Sequence, residues 1–279
     1  KSLEKENKLK YNQYIYFFIS AMSETITLTF GDAGENHAGM KMVGNVGKIG
    51  SGFNLKDLLN IKTYYESNGN TCEIIHLNNL CKFKLLMHEL KFGEITGDAY
   101  ILIIRNAVSE TKEMFKEMNK FEWDKKYWDT RRQKVLNKHA RSNVCFGDKE
   151  VEPDYENKQG RIVSYNSVPT LDKFKKELEM LIGEKANNLI CEGNRYFDIK
   201  KCGIGWHGDS ERKKVIGIRL GQSMLFKIRW YNNSKPISES VSINLNDGDM
   251  YIMSEKAVGY DWKRRNIFTL RHSAGCDKY

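Results

Sequence analysis

From Leu189 onward the chain breaks into short apolar segments separated by turn residues, and this constrains its fold more than any other feature. The segments are Leu189–Glu192, Gly203–His207, Val215–Leu220, Ser223–Trp230, Val241–Leu245, Met250–Ser254 and Phe268–Arg271. Glycines and an Asn-Asp-Gly turn at 246–248 punctuate them. Runs of this length with this punctuation are strands, and about seven in succession predict a barrel or jelly roll.

Upstream the pattern is mixed. Ile26, Leu28 and Phe30 alternate with threonines, which predicts a half-buried strand. A glycine-rich stretch over 31–52 follows. Leu55, Leu58, Leu59 and Ile61 share helical spacing over 54–66. Cys72–Leu77 and Tyr100–Ile104 read as strands. Ser109 is placed to cap a helix carrying Met114, Phe115 and Met118. Thr170 is placed to cap another, whose Leu171, Phe174, Leu178 and Leu181 form one apolar stripe. No internal repeat and no low-complexity tract is present. Residues 1–22 read as an extension of little structure, residues 23–118 as a small α/β region, and residues 119–279 as the strand-rich domain.

With 40% hydrophobic residues, 11% aromatics and three prolines in 279 residues, the chain can bury a real core. The six cysteines form no C-x-x-C pair, which argues against a zinc ribbon. A disulfide framework is not expected in a chain this long, so reduced thiols and an intracellular setting are expected. The apolar run from Tyr14 to Met22 is too short to span a membrane, and Glu4 and Glu6 precede it. The net charge of +9 suits a polyanionic partner such as nucleic acid, although a lysine-rich composition alone gives the same number. The basic run from Arg131 to Arg141 reads first as a solvated face and second as a phosphate-contacting lid.

The chemistry concentrates at His207-Gly208-Asp209. Residues two apart on a strand point to one side, so an imidazole and a carboxylate there can supply two of three facial metal ligands. Arg265 and Arg271 follow. A guanidinium pairs bidentately with carboxylate, and an arginine in the apolar stretch Phe268-Thr-Leu-Arg271 calls for an anionic partner, either a structural ion pair or a bound diacid.

In order, Asn194-Arg-Tyr196, His207-x-Asp209, Gly248-Asp249 and Arg265-x5-Arg271 followed after His272-Ser273 by Ala-Gly resemble the AlkB-like branch of the 2-oxoglutarate- and Fe(II)-dependent oxygenases. The resemblance covers roughly residues 120–276, and the helix near Pro169-Thr170 fits it. It is nearest to the large AlkB-like proteins of giant viruses, fungi and protists. It implies an α+β chain with a double-stranded β-helix core, or jelly roll, and flanking helices. It implies that Fe(II) is held by His207 and Asp209. It implies that 2-oxoglutarate is bound by Asn194, Tyr196, Arg265 and Arg271, the last beside the metal. Glu211, Phe146, Arg141 and more loosely Tyr155 would then meet the substrate, with 137–148 as a nucleotide-recognition lid. The activity implied is oxidation or oxidative demethylation of a nucleic-acid base, as in DNA repair, with O2 as co-substrate, by a monomer without membrane attachment.

One position departs from the pattern. The family's distal histidine is absent from Val258-Gly-Tyr-Asp-Trp-Lys-Arg-Arg265, and His272 adjoins Arg271, which places it on the opposite face of the strand. Asp261 is the best replacement as third ligand, a turn cap being its ordinary role. Two further readings stay open: a protein side-chain hydroxylase of the same fold, and a nucleic-acid-binding module without iron chemistry.

Overall fold

The structure, a computed structural model, describes residues 24–34, 39–80, 97–276 and 278. The extension expected over residues 1–22 lies outside the described residues.

Along the chain come β1 (Thr25–Gly31), the short pair β2 (Ala33–Gly34) and β3 (Val43–Gly44), helix α1 (Leu55–Ser67), β4 (Cys72–His76), β5 (Tyr100–Ile104) and helix α2 (Thr111–Glu117). Next are the ribbon β6 (Lys126–Asp129) and β7 (Lys134–Asn137), then β8 (Ser142–Gly147), β9 (Ile162–Ser164) and helix α3 (Pro169–Ile182). Strands then dominate: β10 (Ile190–Tyr196), β11 (Gly203–His207), β12 (Val215–Gly221), β13 (Met224–Asn232), β14 (Lys235–Pro236), β15 (Val241–Leu245), β16 (Met250–Met253) and β17 (Thr269–Gly275). The architecture is mixed α/β and strand-rich.

Among the described residues, eight strands form the larger sheet in the order β4-β5-β16-β12-β1-β10-β8-β9. The smaller sheet runs β11-β17-β13-β14, with β15 also paired to β13. Period-two alternation gives the larger sheet two different faces. Ile26, Leu28, Phe30, Ile216, Ile218 and Leu220 point to one side, against Leu58 and Ile61 of α1 and Leu171, Phe174 and Leu178 of α3. Ile101, Ile103, Tyr251 and Met253 point to the other, against Phe226, Ile228, Trp230 and Leu270 of the smaller sheet. Each such side chain withdrawn from water contributes about 1.5–3 kcal/mol. The smaller sheet is therefore held to the larger by a shared apolar layer, and a polar cavity opens within it.

Strand pairing runs across the boundary expected at residues 118/119. β1 sits inside the larger sheet between β10 and β12. β5 pairs with β16. Residues 23–118 thus complete the sheet that the later strands begin.

Helix starts differ from expectation in an instructive way. Asn54 and Asp57 cap α1 reciprocally. α2 begins after Glu110 without a side-chain cap, so Ser109 does not serve there. Thr170 lies inside the first turn of α3. The carboxylate of Glu117, from α2, accepts from the backbone N–H of Thr170 at 2.8 Å and from its hydroxyl at 2.6 Å. A buried acid from a neighbouring helix thus satisfies the free N–H groups. No helix among the described residues is long and apolar enough to cross a membrane.

Candidate metal centre

β11 and β17 lie side by side, with His207 directly opposite His272. A register shift between Ile204 and His207 turns His207 inward, leaving Trp206 on the outer face. Asp209 follows in the loop after β11, its backbone N–H donating to the carbonyl of Val258. The residue between, Gly208, is pressed so closely on the backbone of Gly259 that a Cβ would sit 2.2 Å from its carbonyl oxygen. Only glycine fits that contact, which sets the approach of the Asp209 loop to β11.

His207, Asp209 and His272 each offer a ligand atom within 4.8 Å of the others, and they are the one such group among the described residues. The Nε2 atoms of His207 and His272 lie 3.7 and 4.0 Å from Oδ1 of Asp209. The Nδ1 of His207 donates to the carbonyl of Gly205 at 2.7 Å, which leaves Nε2 as the free lone pair aimed at the cluster. Burial pushes both imidazoles toward the neutral form, His272 down to about 3, with the neighbouring His207 adding to the effect. Burial alone would raise the carboxyl of Asp209; Arg212 first, then the two histidines, hold it below the usual carboxylate range. Two neutral imidazoles and an anion are the protonation states that a divalent metal requires.

Arg212 fixes the carboxylate. It donates to Oδ2 of Asp209 at 3.2 Å, to Glu192 at 2.6 Å and to the carbonyl of Ala33 at 2.6 Å. All of these side chains are buried. The oxygen left facing the histidines is Oδ1.

The same cavity holds a second polar element, Arg219 on β12. Its side chain is fully buried and donates to Thr27 Oγ1 at 2.8 Å, while its Nε has no partner among the described residues. Burial lowers its affinity for a proton, and Tyr196 and Tyr251 offset this only in part. Tyr251, pushed up to about 12 by burial, stays a neutral phenol. Gly217, one pleat earlier on β12, leaves room for that ring, which a Cβ would meet at 2.2 Å. A buried guanidinium with an unfilled donor is a receptor for an anionic oxygen.

Asn194, Tyr196 and Arg141 line this cavity together with the two histidines and Asp209. Arg141 donates to Asn194 Oδ1 at 2.6 Å. Other expected residues are not brought together with these. Asp261 accepts from Lys256 at 2.7 Å and stands outside the cluster. Arg271 points to the outer face of the smaller sheet, between the rings of Tyr231 and Trp262. Arg265 is exposed in the turn before β17. Neither lines the cavity.

Phe146 is core, packed near Phe121 and Tyr165 on the helix side of the larger sheet. Within the segment 137–148 expected as a lid, Ser142–Gly147 form β8, an inner strand of that sheet. Tyr155 donates to Asp124 on the helix side. Glu211 lies outside the cavity lining. Asp249 is structural, accepting from Arg105 and from two backbone N–H groups.

His272 and Arg219 were missed, and the sequence carried a signal for each. Phe268, just before β17, and Leu270 and Ala274 on it share a parity and face the core. His272 has that parity and faces inward with them; parity taken from Arg271 gave the opposite answer. Arg219 stands in the apolar run Val215-Ile-Gly-Ile-Arg-Leu220, the same anomaly that drew attention to Arg271.

No family model matches the chain. It is 44% identical over 264 residues to "Uncharacterized protein R156" of Acanthamoeba polyphaga mimivirus, a similarity that covers 94% of this chain and 99% of that protein.

Proposed function

The chain belongs to the same family as mimivirus protein R156, and we propose that it is an Fe(II)- and 2-oxoglutarate-dependent oxygenase with a jelly-roll core that acts on a nucleic-acid base. The observation that carries the reading is the pairing, in one buried cavity, of a His-Asp-His cluster with a guanidinium lacking an anion. Two imidazoles and one carboxylate on one side of a metal are the ligand set of non-haem iron oxygenases, and they leave sites open for a co-substrate and oxygen. Iron bound there would supply the oxygen chemistry. His207, Asp209 and His272 would hold it.

The protein's own contribution is orientation and charge. Arg219 would clasp the distal carboxylate of the 2-oxo acid, a role the sequence suggested for Arg265, with Thr27, Tyr196 and Tyr251 around it. Arg212 keeps one oxygen of Asp209 turned toward the two histidines, where a metal would be held, and neutralises the buried Glu192. The apolar walls Phe226, Met253 and Ala274 exclude water. Asn194 and Arg141 line the same cavity with polar groups for substrate. With His272 in place, the absent distal histidine no longer argues for a module without iron chemistry.

The test is turnover. Protein purified without oxygen and supplied with Fe(II), 2-oxoglutarate and air should release succinate, and more with N-methylated oligonucleotide than without. His272→Ala should abolish release and Asp261→Asn should not. Release that survives His272→Ala would sink the assignment, and stimulation by a peptide alone would favour the hydroxylase reading.

A further inference from the structure

The outer face of the smaller sheet carries a row that the metal centre does not use. Arg229 of β13 and Arg271 of β17 are directly opposite each other. Like charges so placed destabilise a sheet unless something compensates them. Neither guanidinium has a carboxylate partner among the described residues. Aromatic rings hold them instead. Arg229 lies 4.1 Å over Trp206 and 5.2 Å from the ring centre of Tyr231. Arg271 lies 4.3 Å over Tyr231 and 5.1 Å from Trp262. The row therefore alternates Trp206, Arg229, Tyr231, Arg271, Trp262.

Stacking fixes the plane of each guanidinium and leaves its N–H edge for a ligand. Arg229 Nε donates to Tyr231 Oη at 3.0 Å, and Arg271 Nε is buried without a partner among the described residues. Lys263, Arg264 and Arg265 are exposed just before β17. The two tryptophans at the ends of the row are half-exposed.

We propose that this face binds single-stranded nucleic acid, with Arg229 and Arg271 on adjacent phosphates and Trp206 and Trp262 offering stacking surface to bases. Charge selects the occupant: fixed guanidinium edges at strand spacing suit phosphate oxygens, and the rings suit bases, which an acidic peptide lacks. The place suits it too. Trp206 precedes the metal-cluster residue His207 on the edge strand β11, and Trp262 donates to Ser210, next to Asp209. As a route for substrate this deepens the oxygenase reading; as a binding surface it stands without it.

The experiment uses metal-free full-length protein and a fluorescein-labelled oligothymidylate of about a dozen nucleotides, followed by anisotropy across a salt series. Affinity should fall as salt rises, by about 0.7 in the log–log slope for each phosphate contacted. The Arg229→Gln/Arg271→Gln protein should flatten that slope by about 1.4. Lys116→Glu, a charge change on α2, should leave binding close to wild type. If the double variant fails to melt cooperatively, the single variants Arg229→Lys and Arg271→Lys, which keep charge but lose the stacked fork, should each weaken binding. An unchanged slope in the double variant, unchanged binding in both lysine variants where these decide, or equal binding of polyglutamate or of duplex of the same length, overturns the proposal. Binding without succinate release would leave this surface standing while the oxygenase reading fell.

Discussion

Replacing Arg219 with methionine separates stability from function in opposite directions. In the protein alone Arg219 is fully buried, makes one hydrogen bond to Thr27 and leaves Nε unpaired. An unsatisfied buried donor costs about 1–3 kcal/mol, and more when it is charged. Methionine has similar length and no donor, so Arg219→Met should stabilise the ligand-free protein by about 1–3 kcal/mol, less about 1 kcal/mol for the lost Thr27 bond. At about 2–4 °C per kcal/mol for a chain of this size, the Tm should rise by a few degrees. The same change removes the anion receptor. A charge-assisted hydrogen bond contributes about 1.5–3 kcal/mol, so its loss should lower 2-oxoglutarate affinity by between about tenfold and about 150-fold. Thermal melts with and without 2-oxoglutarate, in the presence of Mn(II), read both effects at once. A variant that melts lower than wild type and still gains full stabilisation from 2-oxoglutarate would refute the reasoning, because Arg219 would then be a structural residue.

Four further outcomes follow from the geometry. Asp261→Asn breaks a buried pair with Lys256 and should cost about 3–5 kcal/mol in denaturant melts while leaving metal affinity near wild type. Arg212→Gln frees the carboxylates of Asp209 and Glu192, and should weaken metal binding by about 10–100-fold in a competition titration against a chromogenic chelator. The chelator-treated protein should lose stability as pH falls below the ordinary histidine value of 6.5 toward the depressed value of about 3 for His272, because the unfolded chain then binds protons that the folded imidazole refuses; urea midpoints that rise over this window would contradict the burial of His272. Cys202 and Cys276 face each other one step beyond the Gly203–Gly275 pair, so diamide should join them within one chain, and a mass unchanged after treatment would challenge the β11–β17 register.

Much of the fold was legible because its signals are local. β5, β11 and β15 match the segments read from apolar runs, and β12, β13 and β16 differ by a residue or two. What the sequence hid is non-local. Nothing in Ile26, Leu28 and Phe30 says that β1 will enter between β10 and β12 rather than form its own layer. Likewise α3 is capped by Glu117, more than fifty residues earlier.

The site was half legible. His207 and Asp209 were found because their spacing is enough on a strand end, and Asn194 and Tyr196 because they share one face of β10. Asp261 was favoured because a carboxylate can bind a divalent metal; Lys256, which holds it, is visible only in three dimensions. The faces of Arg271 and His272 were exchanged. An arginine between two aromatic rings can remain on the outside of a sheet without an anion, so its presence in an apolar strand did not establish that it faces inward.

The account rests on His207, Asp209 and His272 sharing one metal ion. A crystal grown without oxygen and soaked in Fe(II), with diffraction recorded above and below the iron absorption edge, tests this directly. An anomalous peak among the Nε2 atoms of the two histidines and Oδ1 of Asp209 is the expected result. A peak beside Asp261, or none in crystals whose solution metal content shows bound iron, would contradict it.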